Sequence, residues 1–134
     1  MAAVAGPRWV KPLRRLPMWL ALWFIGIAVV IVVCLVPGQD LPRFPVSDKI
    51  EHAVAFALLA ASAVQLFVRG PGLAMVAAGL LALGVGIEFA QATFTTTRAM
   101  ELGDVIADAI GIGAGMLVAW TPLRDVLLKV AGSR

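Results

Sequence analysis

The residues best suited to chemistry begin in one short polar segment, residues 47–53 (SDKIEHA), which contains the single histidine of the chain. Asp48 and His52 are four residues apart, so on a helix they share a face. The segment opens an otherwise apolar stretch that runs to Val68. Ionisable groups at the mouth of a hydrophobic helix are costly and usually mark a functional site, so we predict one here.

The other candidates occur much later in the chain and are mostly acidic. Glu88 is the most informative, because this carboxylate stands between Ile87 and Phe89 in an apolar run. We predict that the later residues meet the segment around His52 on one side of a membrane. They are Glu88, Gln91, Arg98, Glu101, Asp104 and Asp108.

These residue types predict acid/base chemistry more readily than metal chemistry. His52 beside Glu88 would form an acid/base or proton-relay pair, because an imidazole changes charge near neutral pH. A histidine among carboxylates also suits a divalent cation. The sequence contains no HExxH or DxD spacing, however, so we predict no metal site and no cofactor. Ser47 is explained as a helix cap, and no Ser/His/Asp signature stands out.

The composition predicts an integral membrane protein. Of 134 residues, 61% are hydrophobic and only 14% are charged, whereas soluble domains carry about 25% charged residues. The basic residues are better explained by membrane topology than by nucleic acid, and we predict no nucleic-acid partner. Cys34 is the only cysteine, lies in an apolar run and has no partner for an internal disulfide.

Four apolar runs predict an all-α, four-helix transmembrane bundle over residues 17–121, with spans at about 17–36, 48–68, 73–92 and 104–120. A proline-rich loop separates the first two spans, and a Gly70-Pro71-Gly72 turn makes the second and third a hairpin. Residues 1–16 are predicted to form a basic arm and residues 122–134 an amphipathic tail. In the fourth span, one stripe should be buried against other helices; it comprises Asp104, Asp108, Gly111 and Gly115.

The charge distribution predicts that both termini lie in the cytoplasm. Eight Lys and Arg residues fall in the arm, the second turn and the tail, against three on the other side. Counting at about 1.5 Å per residue from Arg69 and Arg124, the predicted site residues lie roughly 24–26 Å above the inner boundary. Because the hydrocarbon layer is about 30 Å thick, His52, Glu88 and Asp108 should share one level just beneath the outer surface.

The order and spacing of these residues resemble the VanZ-like family over residues 37–117. The resemblance rests on DKxxH at residues 48–52, EFxQ at residues 88–91, Arg98, and ExxDxxxDxxG at residues 101–111. It departs from the family at Asp108, where an Asn often occurs. The resemblance implies a small multi-pass protein of the bacterial cytoplasmic membrane, and the namesake of the family is linked to low-level resistance to teicoplanin.

Three functions remain open from the sequence. The chain binds a polar head group, such as that of a lipid-linked cell-wall precursor, or it is a membrane enzyme acting on a lipid or glycolipid head group, or it is an ion-coupled carrier. A carrier is disfavoured because its site should lie near the midplane. We assign His52 and Glu88 as catalytic candidates and predict membrane lipids as partners, leaving the oligomeric state open. The candidates for head-group binding are Asp48, Lys49, Gln91, Arg98, Glu101, Asp104 and Asp108.

Overall fold

The computed structural model describes residues 9–36, 47–94 and 100–134, and in these segments every regular element is helical. Five α-helices follow one another along the chain: α1 Leu16–Leu35, α2 Asp48–Leu66, α3 Pro71–Phe94, α4 Leu102–Met116 and α5 Val126–Ala131. Two 3-10 turns, Leu117–Trp120 and Pro122–Asp125, connect α4 to α5. Arg98 and the proline-rich loop of residues 37–46 lie outside the described residues.

Four of these helical segments are long and apolar enough to cross a membrane: Leu16–Leu35, Asp48–Leu66, Pro71–Phe94 and Leu102–Trp120. The predicted all-α architecture with four membrane-spanning helices is therefore confirmed. Each predicted span begins and ends within two residues of the observed one. The agreement has a simple cause, since hydrophobic length and the prolines and glycines at the ends are local properties of the chain.

The helix ends follow local capping rules. The Ser47 hydroxyl accepts a hydrogen bond from the backbone N–H of Ile50 at 3.4 Å, so Ser47 is the N-cap of α2. Asp48 and Glu51 lie in the first turn, where carboxylates suit the positive end of the helix dipole. Gly70 joins α2 to α3 with φ 108°, a left-handed conformation that other residues rarely adopt.

Helix α1 lies at the outside of the bundle. Its only fully buried residue is Leu16, and one side of the helix, which includes Trp23, Ile27 and Cys34, packs against the core. The other side of this uncharged helix is available to lipid. The Trp23 indole N–H donates to the Leu59 carbonyl at 3.0 Å and ties α1 to α2. The helices α2, α3 and α4 therefore form the packed part of the molecule, with a core that contains Phe56, Ile87 and Ile112.

Helix α2 packs most extensively on α4, and glycines allow the two backbones to approach. A Cβ atom at Gly111 would overlap the Ala53 carbonyl oxygen, and one at Gly115 would overlap the Ala57 carbonyl oxygen. All four residues of the predicted stripe, Asp104 and Asp108 included, are buried. The prediction of a buried small and acidic stripe on α4 is therefore confirmed.

Substituting Gly111 tests this contact directly. Gly111→Ala is expected to destabilise the bundle by about 1–3 kcal/mol, because the added methyl forces α2 and α4 apart. Gly113→Ala is the matched control: no atom lies within 4 Å of its Cβ position, and alanine gains about 1 kcal/mol of helix propensity. Unfolding in mixed micelles, followed by circular dichroism, compares the two variants. Equal stability of both would contradict the close packing.

The described part of the N-terminal arm is fastened to the rest of the protein. The Trp9 carbonyl accepts the Val68 N–H at 2.9 Å, and the Lys11 N–H donates to the Leu66 carbonyl at 2.8 Å. The tail is attached as well, since the Arg134 N–H donates to the Pro12 carbonyl at 2.9 Å. The arm and tail, predicted as separate segments, thus pack together at one end of the bundle, called here the terminal end.

One ion pair reinforces this end. The buried Lys11 ammonium lies 2.9 Å from Asp125 Oδ1 and also donates to the Arg124 carbonyl. The hydrogen bond from Lys11 holds the pKa of Asp125 below its ordinary value, with the neighbouring charges of Lys11 and Arg124 acting in the same direction. The ion pair therefore adds a polar contact between the arm and the tail of the chain.

Candidate functional site

A buried group of ionisable residues lies at the opposite end of the bundle, where α2 begins and α3 ends. His52 comes from α2, Glu88 from α3, and Asp104 and Asp108 from α4. Their exposed fractions are 5%, 0%, 8% and 0%, respectively. These four residues are called the polar cluster. Three helices thus carry titratable side chains into one dry location, as the depth count from the sequence predicted.

His52 and Asp108 form the shortest contact of the polar cluster. The distance from His52 Nδ1 to Asp108 Oδ1 is 2.9 Å, and both side chains are buried. An ionised carboxylate only accepts hydrogen bonds, so with Asp108 ionised the hydrogen of a neutral His52 is on Nδ1. The lone pair of Nε2 is then free toward Asp104, whose Oδ2 lies 3.9 Å away. Asp108 therefore orients the imidazole.

Two carboxylate oxygens of the polar cluster lack a hydrogen-bond partner among the described residues. Glu88 Oε2 accepts the Glu101 backbone N–H at 3.0 Å, but Glu88 Oε1 has no such partner. Asp108 Oδ2 is the second such atom. Buried polar atoms are nearly always satisfied, because an unpaired one costs about 1–3 kcal/mol. A proton, a cation or a hydrogen-bond donor next to either oxygen would remove this cost.

Glycine makes the room for one of these oxygens. A Cβ atom at Gly84 would lie 2.6 Å from Asp108 Oδ2, so a larger residue there would push the carboxylate out of place. Gly84 was not among the predicted site residues. The sequence did contain a sign of this role, because Gly84 is four residues before Glu88 and therefore lies on the same side of α3.

Lys49 forms the exposed rim of the polar cluster. Its ammonium lies 2.8 Å from Glu101 Oε2 and 3.5 Å from Asp104 Oδ1. The hydrogen bond from Lys49 lowers the pKa of Glu101 below its ordinary value. Both Lys49 and Glu101 are more than half exposed, so this pair contributes little to stability. It places an exposed cation and an exposed anion next to the buried Asp104.

The remaining predicted site residues lie at the edge of the polar cluster or away from it. Asp48 is exposed and, with His52, lines a pocket of about 140 Å³ between α1 and α2. Gln91 is buried, and its amide donates to the Cys34 carbonyl at 2.7 Å, which ties α3 to α1. Arg98, the second predicted cation of the site, is outside the described residues.

The donor atoms of the polar cluster are close enough to share one ion. One ligand atom from each of His52, Glu88 and Asp104 lies within 4.8 Å of the other two. The sequence predicted no metal site because it contains no local ligand motif. These donors come from three helices, so their proximity depends on how the helices pack and has no counterpart in sequence spacing.

Chemically, the arrangement is suited to two tasks. A histidine that is oriented by a buried carboxylate is a typical general base. The same histidine, among carboxylates, is also a binding site for a cation or for the hydroxyl and amino groups of a ligand. His52 and Glu88, the predicted acid/base pair, are both present in the polar cluster, so neither task is excluded by position.

Comparison of the chain with known proteins identifies no relative. Searches against protein families, curated proteins and solved structures find no match to this chain. The VanZ-like resemblance therefore stays a prediction from the sequence motif, and the functional argument rests on the polar cluster.

Proposed function

We propose that this chain is a VanZ-like protein of the bacterial cytoplasmic membrane that binds a polar lipid head group at the polar cluster. The observation that carries the proposal is a fully buried Glu88 carboxylate with an oxygen lacking any partner among the described residues, at one end of four apolar helices. An intramembrane ionisable group of this kind is costly unless a ligand or partner compensates it.

The orientation proposed here places the polar cluster toward the outer leaflet. Residues 9–15, the α2–α3 turn and the tail meet at the terminal end, and these segments together with the first eight residues carry eight of the eleven basic residues. Basic residues favour the cytoplasmic side. The polar cluster is at the other end, where a lipid-linked cell-wall precursor would present its head group.

Labelling of single cysteines tests this orientation. In a Cys34→Ala background, Met100→Cys is expected to react with a membrane-impermeant maleimide in intact spheroplasts, because Met100 is exposed at the cluster end. Ser133→Cys, exposed at the terminal end, is the matched control and should react only after the membrane is permeabilised. The reverse pattern would place the polar cluster in the cytoplasm and would remove outer-leaflet precursors from consideration.

The charges indicate which parts of a head group the site would contact. Glu88 and Asp108 offer acceptor oxygens, which suit the hydroxyl or amino groups of a sugar. Lys49 is on the exposed rim, where a phosphate would compete with Glu101 for its ammonium. A glycolipid carries both features, so a lipid-linked sugar is the head-group class that the site fits best. The VanZ-like similarity extends the proposal to an effect on glycopeptide sensitivity.

A second candidate function is catalysis on the same head group. The observation that favours it is the 2.9 Å contact between His52 and Asp108, since it orients an imidazole beside the Glu88 carboxylate. His52 would then accept a proton from the attacking group while Glu88 donates one to the leaving group. This reading uses the same residues as binding, so the two functions differ only in whether the ligand is changed.

One experiment separates the two functions. The protein in nanodiscs is incubated with lipid-linked cell-wall precursors, bound lipid is measured after washing, and the extract is examined by mass spectrometry. Retention of unchanged precursor supports binding, and a new product supports catalysis. If the protein retains the precursors no better than an ordinary phospholipid and yields no product, the proposed function is wrong. Lipid analysis of a deletion strain then identifies the class of lipid that accumulates.

A further inference from the structure

We infer that the polar cluster is a divalent transition-metal site in which His52, Glu88 and Asp104 are the protein ligands and Asp108 orients the histidine. The inference rests on the proposed function, since the ion would occupy the head-group site. Its test, however, needs no lipid. The inferred metal site differs from the prediction of no metal site that was made from the sequence. The reason is that the ligands belong to three different helices and form no local sequence motif.

The first support is the proximity of three potential metal ligands, one imidazole and two carboxylates. One ligand atom from each residue lies within 4.8 Å of the others, and His52 Nε2 is 3.9 Å from Asp104 Oδ2. Bonds of about 2.0–2.2 Å to an ion place neighbouring ligand atoms of a tetrahedral site about 3.3–3.6 Å apart. Binding would therefore draw these two atoms together by about 0.5 Å.

The second support is the environment of the histidine. A metal-binding histidine almost always donates its other ring N–H to a carboxylate or a carbonyl, which fixes the tautomer and the direction of the lone pair. In this chain Asp108 holds Nδ1 at 2.9 Å, which leaves Nε2 for the ion. Gly84 leaves space for Asp108, so the orienting group is itself held in place by the fold.

The third support is independent of the geometry and concerns charge. Three carboxylates and one imidazole are buried together, and Glu88 Oε1 has no hydrogen-bond partner among the described residues. Lys49 reaches Asp104, yet its ammonium is half exposed. A dication bound by Glu88 and Asp104 would lower the cost of burying these carboxylates, because it supplies a strong partner of opposite charge.

The donor set selects the class of metal. Calcium and magnesium prefer sites built wholly of oxygen ligands, and copper(I) prefers sulfur. One imidazole with two carboxylates suits Zn²⁺, Co²⁺ or Mn²⁺, with affinity expected to rise from Mn²⁺ through Co²⁺ and Zn²⁺. Three protein ligands leave at least one coordination position for water or for a phosphate or hydroxyl oxygen of the head group, as in catalytic metal sites.

The test uses the full chain without an affinity tag, purified in detergent, treated with a chelator and then titrated with Zn²⁺ or Co²⁺. We expect one ion per chain by elemental analysis after gel filtration, and a visible Co²⁺ absorption band typical of nitrogen and oxygen ligands. We also expect Zn²⁺ to raise the midpoint of thermal unfolding. A helical protein that retains no ion above the buffer level would overturn the inference.

Variants locate the ion. Glu88→Gln and Asp104→Asn should each weaken Zn²⁺ binding at least tenfold, and Asp108→Asn should weaken it about 10–100-fold with the stoichiometry unchanged. Glu51→Gln is the matched control, because Glu51 is an exposed carboxylate at the same end of the bundle. Binding that is equal in all four variants indicates an ion elsewhere and overturns the inference, even if the protein retains metal.

The two proposals fail separately. Lipid retention by protein that binds no ion would overturn the metal site and leave the proposed function intact. Stoichiometric Zn²⁺ binding that depends on Glu88 and Asp104, in protein that retains no precursor, would support the metal site and overturn the head-group proposal. Circular dichroism of each variant shows that it is folded, so a loss of metal cannot be attributed to unfolding.

Discussion

His52→Ala is expected to lower the free energy of unfolding by about 3–5 kcal/mol, the largest stability loss that we predict for this chain. Asp108 is fully buried, and its Oδ1 depends on His52 at 2.9 Å. Its Oδ2 already lacks a hydrogen-bond partner among the described residues. Removing the imidazole would leave a carboxylate buried between α2 and α4 without compensation.

A double variant distinguishes this cause from simple loss of packing. His52→Leu with Asp108→Leu replaces both partners by apolar groups, and such replacements are often neutral or stabilising. The double variant should therefore recover most of the loss, and a double-mutant cycle should give a coupling energy of at least about 1 kcal/mol. Reversible unfolding in mixed micelles measures all the variants. A His52→Ala protein as stable as the wild type would contradict the buried pair.

Glu88→Gln is expected to weaken head-group retention about 10–100-fold, because a hydrogen bond to a charged group is worth about 1.5–3 kcal/mol. The fold should survive this change. Glutamine has nearly the same shape, and its amide oxygen still accepts the Glu101 backbone N–H that Glu88 Oε2 accepts. If the site is catalytic, the same variant should lower turnover by about 10²–10⁴-fold, the usual contribution of a general acid or base.

The control for this prediction is Glu51→Gln, which removes an exposed carboxylate near His52 and should leave lipid retention unchanged. The measurement is the nanodisc retention assay, with membrane insertion confirmed by carbonate extraction and helix content by circular dichroism. A Glu88→Gln protein that inserts, folds and retains precursor as the wild type does would show that Glu88 has only a structural role.

The two ends of the bundle have different designs. At the terminal end, backbone hydrogen bonds and the Lys11–Asp125 pair join the arm to the tail. At the cluster end, the pair of Lys49 and Glu101 lies beside the buried Asp104, and both residues of the pair are more than half exposed. In the proposed orientation, a head group of the outer leaflet would approach Glu88 and His52 from this end.

The boundaries of the spans and the buried stripe of α4 were predictable from the sequence. Apolar runs of about 20 residues must be helical in a membrane, since the backbone has no water to bond. The period of the helix placed Asp104, Asp108, Gly111 and Gly115 on one face, and the structure buries all four. The common depth of His52, Glu88 and Asp108 followed from counting residues, because rise per residue is constant along a helix.

Only the tertiary structure determined how each helix is rotated about its axis and which side chains of the polar cluster are in contact. Depth does not say which way a helix is turned, and rotation depends on how its surface fits its neighbours. The contact of Gly111 with the Ala53 carbonyl sets α4 against α2, and that contact brings Asp108 onto His52. The same packing leaves Asp48 exposed, although the sequence places it on the same helical face as His52.

Two further features depend on partners that are remote in sequence. Gln91 has the same polar character as the site residues, but the carbonyl it binds is that of Cys34 on α1. The basic arm has no pattern that would predict its attachment to Leu66 and Gly132. The sequence by itself determined the apolar helices and the identity of the ionisable residues along them, because those properties are local. Only the packing of three helices determined which of those residues are in contact, because contacts between helices depend on how their surfaces fit together.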